Sequence, residues 1–237
     1  MDLRSLGVIL LTLACLPGSL AWGDDNTPVV VELYTSQGCS SCPGADKFLG
    51  ELASQENVIA LSCHVTYWNY LGWRDTLSLE FCDQRQAWYR HHFNNPSSYT
   101  PQMVINGKHD AVGSQRGKVH SLLKKVKSEA PLQLIELEIE GQQLTIRLSP
   151  QAQADDLFFT LLGTGEVHEE VIKRGENEGR TISYTHPVLE VKTLKKQSFN
   201  AGRANIDLQT QPGIHSWVVL ANDKNTGKIV AAGRIKV

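Results

Sequence analysis

Val29-Val30-Val31-Glu32-Leu33-Tyr34-Thr35-Ser36-Gln37-Gly38-Cys39-Ser40-Ser41-Cys42-Pro43 is the stretch on which the reading of this chain turns. It opens with an apolar β-type run that one glutamate interrupts. A pair of cysteines with two residues between them follows, and Pro43 starts a helix-like segment that extends to Gln55. Proline suits a first helical turn because the amides there have no intrahelical acceptor. The pattern predicts a strand, a short loop and a helix, with Cys39 in the loop and Cys42 in the first turn. Reversible dithiol chemistry needs this placement. The loop sulfur can be attacked, the second sulfur lies within its reach, and the helix N-terminus stabilises a thiolate. Ser40 and Ser41 can donate hydrogen bonds to it as well. A CxxC pair is equally compatible with a structural disulfide or half of a zinc site. Zinc is disfavoured, because no second CxxC or paired-histidine motif follows at metal spacing.

Toward the N-terminus, Arg4 precedes an apolar run over residues 6–16, broken by Pro17 and Gly18, and Ser19-Leu20-Ala21 supplies small residues. This is the pattern of a signal peptide spanning residues 1–21, too short to cross a bilayer and cleaved after Ala21. An uncleaved anchor is the alternative. Export predicts a periplasmic or secreted protein in an oxidising compartment, with no membrane span after cleavage. Cys15 leaves with the leader. Cys39, Cys42, Cys63 and Cys82 remain, all in the first half of the mature chain. Four cysteines allow three pairings. The motif favours Cys39–Cys42, which leaves Cys63–Cys82; two buried free thiols are the alternative for the second pair. The formal net charge is −2, without a basic block, so neither a nucleic-acid surface nor a polybasic membrane patch is expected.

Toward the C-terminus the elements alternate at first. Strand patterns cover residues 29–34 and 58–65, helix patterns residues 42–55 and 77–93. A short strand over 101–105 meets Asn106-Gly107, a strong hairpin signal, and pairs with 110–113. A last helix over 117–129 carries Val119, Leu122, Leu123 and Val126 on one stripe. Leu77, Phe81, Trp88 and Phe93 are the expected buried positions of the helix before it. After Pro131 the texture changes to short alternating strands, at 134–140, 144–148, 157–162, 181–185, 206–208, 217–221 and 229–235. Such spacing predicts an antiparallel sandwich.

Tyr99-Thr100-Pro101-Gln102-Met103-Val104 supplies the second half of the site. A proline opening a strand just before a hairpin is tolerated there, and in a dithiol oxidoreductase such an X-Pro bond is cis and faces the sulfurs; an ordinary trans proline in a turn is the alternative for Pro101. With the CxxC and the element order, this stretch resembles the thioredoxin superfamily over residues 29–129. More narrowly, Glu32 to Pro43, His64-Val65-Thr66-Tyr67-Trp68, Leu71-Gly72-Trp73 and Thr100-Pro101-Gln102-Met103-Val104 are similar to a family of exported bacterial proteins of uncharacterised function. That resemblance implies an α/β thioredoxin-like domain, a central mixed sheet flanked by helices, over residues 22–130. A mostly-β, sandwich-like C-terminal domain would follow over 131–237. It implies Cys39 as the attacking thiol, Cys42 as the resolving one, Pro101 as the cis proline and Thr100 as the residue offering its backbone to a bound peptide.

The expected function is therefore thiol–disulfide exchange with exported protein or peptide thiols and disulfides, with no cofactor. Glu32, a charge inside an apolar strand, is a candidate proton acceptor for Cys42, or else a surface-facing edge residue. His64 ends the second strand, on the sheet edge where the cysteines lie. With Cys39 and Cys42 it could hold copper(I), a soft ion suited to thiolates; packing beside the pair is the plainer role. Tyr67, Trp68, Tyr70 and Trp73 form either a packed insertion or a groove for an extended peptide. Adjacent His91 and His92 point in different directions on a helix and are expected at the surface. A binding module with a permanently closed disulfide is the remaining alternative.

Overall fold

A computed structural model describes residues 28–153, 156–208 and 212–237. The expected leader, residues 1–21, lies outside the described residues. The chain runs β1 (Val29–Thr35), α1 (Pro43–Ala53), β2 (Val58–His64), α2 (Glu80–His92), β3 (Gln102–Ile105), β4 (His109–Val112) and α3 (Arg116–Lys127). It continues through β5 (Gln133–Leu134), β6 (Glu136–Glu140), β7 (Gln143–Arg147), β8 (Leu157–Thr164), β9 (Val167–Val171), β10 (Thr181–Thr185) and β11 (Val188–Leu194). Last come β12 (Arg203–Asp207), β13 (Ser216–Asp223) and β14 (Ile229–Lys236).

The valine-rich run forms β1, every residue of it buried. It is an inner strand of a four-stranded sheet ordered β2-β1-β3-β4, parallel to β2 and antiparallel to β3. Burial on both faces explains why the run is nearly continuously apolar. Asn106 and Gly107 both take left-handed φ, 50° and 61°, and turn β3 into β4, as their sequence predicts. One face of this sheet packs on α1 and α3. Val31, Leu33, Phe48, Leu49, Met103 and the Val119/Leu122/Leu123/Val126 stripe form one core.

The helix-flanked thioredoxin fold expected from the sequence does not hold. Among the described residues the protein is mostly β, about 40% strand against 20% helix, with three α-helices and several small sheets. The reason lies on the other face of β1 and β2. There Val30, Tyr34, Ile59 and Leu61 pack on Leu162, Val188, Val218, Leu220 and Ala232, with Cys82 and Tyr89 of α2. A five-stranded sheet, β11-β8-β13-β14-β5, supplies that surface. Its opposite face, with Phe159, Leu161, Trp217 and Val219, packs on Leu144, Ile146 and Ala204 of a three-stranded sheet, β12-β7-β6. Strands β8 and β13 are accordingly buried on both faces.

Two details correct the residue-level expectations. The buried face of α2 consists of Cys82, Arg85, Gln86 and Tyr89, a helical i, i+3, i+4, i+7 set. Phe81, Trp88 and Phe93 are only partly buried beside it, and Leu77 precedes the helix. Strand β9 pairs with β10 in a separate two-stranded sheet. Its Val-His-Glu-Glu-Val sequence alternates with valine only at its ends, so it carries little strand signal. Both expected disulfides are present: Cys39–Cys42, and Cys63–Cys82, which ties β2 to α2. No helix among the described residues is long and apolar enough to cross a membrane.

Candidate functional site

The CxxC turn sits between β1 and α1. Cys39 N donates to Ser36 O at 3.1 Å, and Cys42 N to Cys39 O at 3.2 Å. The Ala45 and Asp46 amides donate to Cys42 O, so Cys42 caps the helix through its carbonyl. Cys39 is 2% exposed and Cys42 is fully buried, while Ser40 and Ser41 are exposed. Ser41 Oγ lies 3.4 Å from Cys39 Sγ. Gly38 permits a close approach: a Cβ there would come within 3.2 Å of Trp68 Cβ and 3.3 Å of Trp68 O.

The Thr100–Pro101 bond is cis. Thr100 Oγ1 donates to Cys39 Sγ at 3.2 Å, and Trp68 Nε1 donates to Thr100 Oγ1 at 2.8 Å. Trp68 thus polarises the hydroxyl that faces the sulfur. Tyr70, exposed, stacks on Trp68. Tyr67 Oη donates to Gln86 Oε1, and burial pushes its hydroxyl pKa up to about 12, against the pull of Gln86 and Thr100. Gln86 in turn donates to Tyr99 O and to Gln102 Oε1, which anchors the cis-proline segment to α2.

Behind the disulfide, under α1, lies a buried polar cluster. Asp46 follows Cys42 by four residues, one helical turn, on the buried face of α1. Burial pushes its carboxyl up to about 7, opposed by His64 and the Thr35 hydroxyl. The Thr35 hydroxyl is near without completing a hydrogen bond. Neither Asp46 oxygen, nor Thr35 Oγ1, His64 Nε2 or Tyr184 Oη, has a hydrogen-bond partner in the described structure. His64 Nδ1 lies 2.8 Å from Asp75 Oδ2, both side chains fully buried, and its ring meets Tyr184 edge-on at 4.6 Å. Burial pushes Asp75 up, yet His64 and the Gln37 and Leu77 amides hold it below the ordinary carboxylate value. Burial and the Asp46, Asp75 and Glu170 charges raise Tyr184.

Glu32 does not join this cluster. Its carboxylate points to the opposite face of β1, where it accepts from Arg85 Nε at 2.5 Å, Arg85 Nη2 at 3.1 Å and Tyr89 Oη at 2.6 Å. Arg85 Nη2 also donates to Asn222 Oδ1. Burial works against the Arg85 charge, but Glu32, Tyr89 and Tyr34 raise its pKa on balance. The buried acid one helical turn from Cys42 is Asp46, not Glu32. The signal for it was a lone acid on the apolar stripe Ala45, Phe48, Leu49, Leu52.

Residues far downstream complete the turn, and no local pattern announces them. Asn177, fully buried between β9 and β10, donates through Nδ2 to Gln37 O and Cys39 O, both at 2.9 Å. Glu176 Oε2 accepts from Ser40 N at 3.2 Å. Gln37, also fully buried, takes Trp73 Nε1 at 2.8 Å on its side-chain oxygen, and its amide donates to Asp75 Oδ2 at 2.8 Å. His91 is exposed and His92 partly so, His92 Nδ1 lying 2.9 Å from Trp88 O. Among the described residues no three His, Cys, Asp or Glu side chains converge as a metal ion would require.

Fold and site together define a β-rich protein with a buried CxxC disulfide facing a cis proline. The family described as "Protein of unknown function (DUF1223)" matches residues 30–221, and the chain belongs to it. The crystal structure of protein AGR_C_4864 from Agrobacterium tumefaciens is similar, with 26% identity and a TM-score of 0.70 over 88% of this chain and 93% of that one. HBP35 of Porphyromonas gingivalis shares the fold, with a TM-score of 0.62 at 13% identity, over 90% of this chain and 76% of that one. No curated protein matches.

Proposed function

We propose that this protein is an exported thiol–disulfide oxidoreductase acting through Cys39 and Cys42. One observation carries the reading: the residue before a cis proline, Thr100, presents its hydroxyl to Cys39 Sγ, the sulfur in the turn. A hydroxyl donor, itself held by Trp68, stabilises a thiolate at that atom. The finer kinship, to the thioredoxin superfamily, rests on this motif and not on the overall architecture. Two disulfides agree with an oxidising compartment and a periplasmic or secreted location.

In the reducing direction, Cys39 thiolate attacks a substrate disulfide. A Cys39–substrate bond forms, and one substrate thiolate leaves. Cys42 then attacks Cys39 Sγ, the internal disulfide closes, and the second substrate thiolate leaves. The substrate gains two electrons and two protons, which the dithiol gives up; the oxidising direction runs in reverse. Cys42 must lose its proton in a water-poor place, and Asp46, with a carboxyl pKa of about 7, is the base one turn away. Substrates are exported proteins or peptides, received beside Tyr67, Trp68 and Thr100.

A reduced Cys42→Ser variant mixed with glutathione disulfide tests this assignment by mass. The expected product is a glutathione adduct on Cys39. A Cys39→Ser variant should form far less adduct on the buried Cys42. Equal labelling of the two, or none, defeats the assignment.

A further inference from the structure

The loop between β9 and β10 reaches the CxxC turn across most of the chain, and dithiol chemistry by itself does not require it. The loop is closed on itself. Gly179 N donates to Ile172 O at 2.8 Å and Glu178 N to Gly175 O at 3.1 Å, while Gly175 and Gly179 take left-handed φ of 81° and 80°. That closure delivers Asn177 to a fully buried position. The orientation of its amide follows from its partners. Two carbonyls, Gln37 O and Cys39 O, lie at Nδ2, and Arg180 Nη1 donates to Oδ1 at 3.0 Å. The adjacent Glu176 is exposed and accepts from the Ser40 amide.

These contacts act on Cys39 with opposite signs. A thiolate is favoured by N–H donors and disfavoured by unpaired carbonyl oxygens and carboxylates nearby. Asn177 supplies a donor to two carbonyls of the turn, Gln37 O and Cys39 O, the second of which also accepts from Cys42 N. Glu176 engages the amide that follows Cys39 and adds a negative charge beside it.

We propose that Asn177 and Glu176 are positioning residues for the Cys39–Cys42 couple, Asn177 favouring the Cys39 thiolate and Glu176 opposing it. The inference rests on the exchange reading above. The other ionisable groups of this edge include Arg180, bonded to Asn177, Glu170 and Tyr184 of the β9–β10 pair, Asp46 of α1, His64 at the end of β2, and Asp75 in the segment after it. They are unchanged in the variants below. The couple is balanced: the disulfide and two glutathione thiols give the dithiol and glutathione disulfide, with two electrons and two protons passing to the pair. A stabilised Cys39 thiolate moves this equilibrium toward dithiol.

The test compares Asn177→Ala, Asn177→Asp and Glu176→Gln in the full chain. Cys39 thiolate absorbance is titrated against pH in a Cys42→Ser background, and the native pair is equilibrated with glutathione. Asn177→Ala is expected to raise the Cys39 pKa by about one unit and to shift the equilibrium about tenfold toward disulfide. Asn177→Asp goes further, because a carboxylate donates nothing and repels both carbonyls. Glu176→Gln moves both readouts the opposite way, by less. Should the Asn177 variants fail to fold, Glu176→Gln, a surface change, still carries the sign. Shifts of one sign for both residues, or a lowered Tm with an unmoved Cys39 pKa, overturn the proposal. A wild-type pair that never equilibrates with glutathione defeats the exchange reading and the proposal together. A wild type that exchanges, with unmoved variants, defeats the proposal alone.

Discussion

Two buried polar clusters flank the sheet that holds β1, one on each face, and they are built on different terms. On the face toward the large sheet, Glu32, Arg85, Tyr89 and Asn222 are joined by a closed set of hydrogen bonds. On the face toward α1, polar atoms of Asp46, Thr35, His64 and Tyr184 have no hydrogen-bond partner among the described residues. A fully paired buried charge serves as scaffold. A buried carboxyl with a pKa raised to about 7, one turn beyond a cysteine, suits the proton transfer that the proposed exchange requires. On the proposed exchange reading, the difference separates the part of the protein that must hold still from the part that reacts.

The largest effect should come from breaking the paired side. Arg85→Ala leaves Glu32 buried without a counter-charge, and chemical denaturation should show a loss of about 3–5 kcal/mol. Exchange per folded molecule should change little; a stable variant would mean that Glu32 reaches water. Opening the nearby Cys63–Cys82 disulfide with a double serine variant should cost about 3 kcal/mol while the Cys39–Cys42 potential stays in place. A potential that moves with it would join the two disulfides into one redox unit.

The unpaired side should respond to pH. Asp46 is raised from 3.8 to about 7 in the folded protein, so folding favours its protonated form. That contribution is full below about pH 4 and is lost as pH rises through about 7. Asp46→Asn should remove this slope and make the protein more stable than wild type at pH 8, with slower exchange. Denaturation at pH 5 and pH 8 checks it; parallel curves for the two proteins would place Asp46 outside the titrating set. The smallest effect is expected from Trp68→Phe. It removes the donor to Thr100 and should slow reaction of Cys39 a few-fold, read by stopped-flow reduction, with little change in stability.

The motif residues were legible in the sequence because their constraints are local. Pro43 marks the helix start, Asn106-Gly107 the hairpin, and Thr100-Pro101 its neighbour. The CxxC favoured Cys39–Cys42 and left Cys63–Cys82 as the second pair, with two free thiols as its alternative; both disulfides are present. The architecture was not legible, because continuous apolar strands such as β8 and β13 do not reveal which layer covers them. They read as a sandwich of their own, whereas one face of their sheet, together with α2, packs on β1 and β2. Glu32 misled for a related reason. A charge in a buried strand signals a partner without naming it, and Arg85 lies 53 residues away. Asn177, 138 residues beyond Cys39, had no signal at all.

The most direct test of the account is a redox titration of Cys39–Cys42 against glutathione, with Cys63–Cys82 left closed. An exchanging pair is expected to titrate as a reversible couple above about −300 mV. A potential far below about −300 mV would mark an inert structural disulfide and contradict the account.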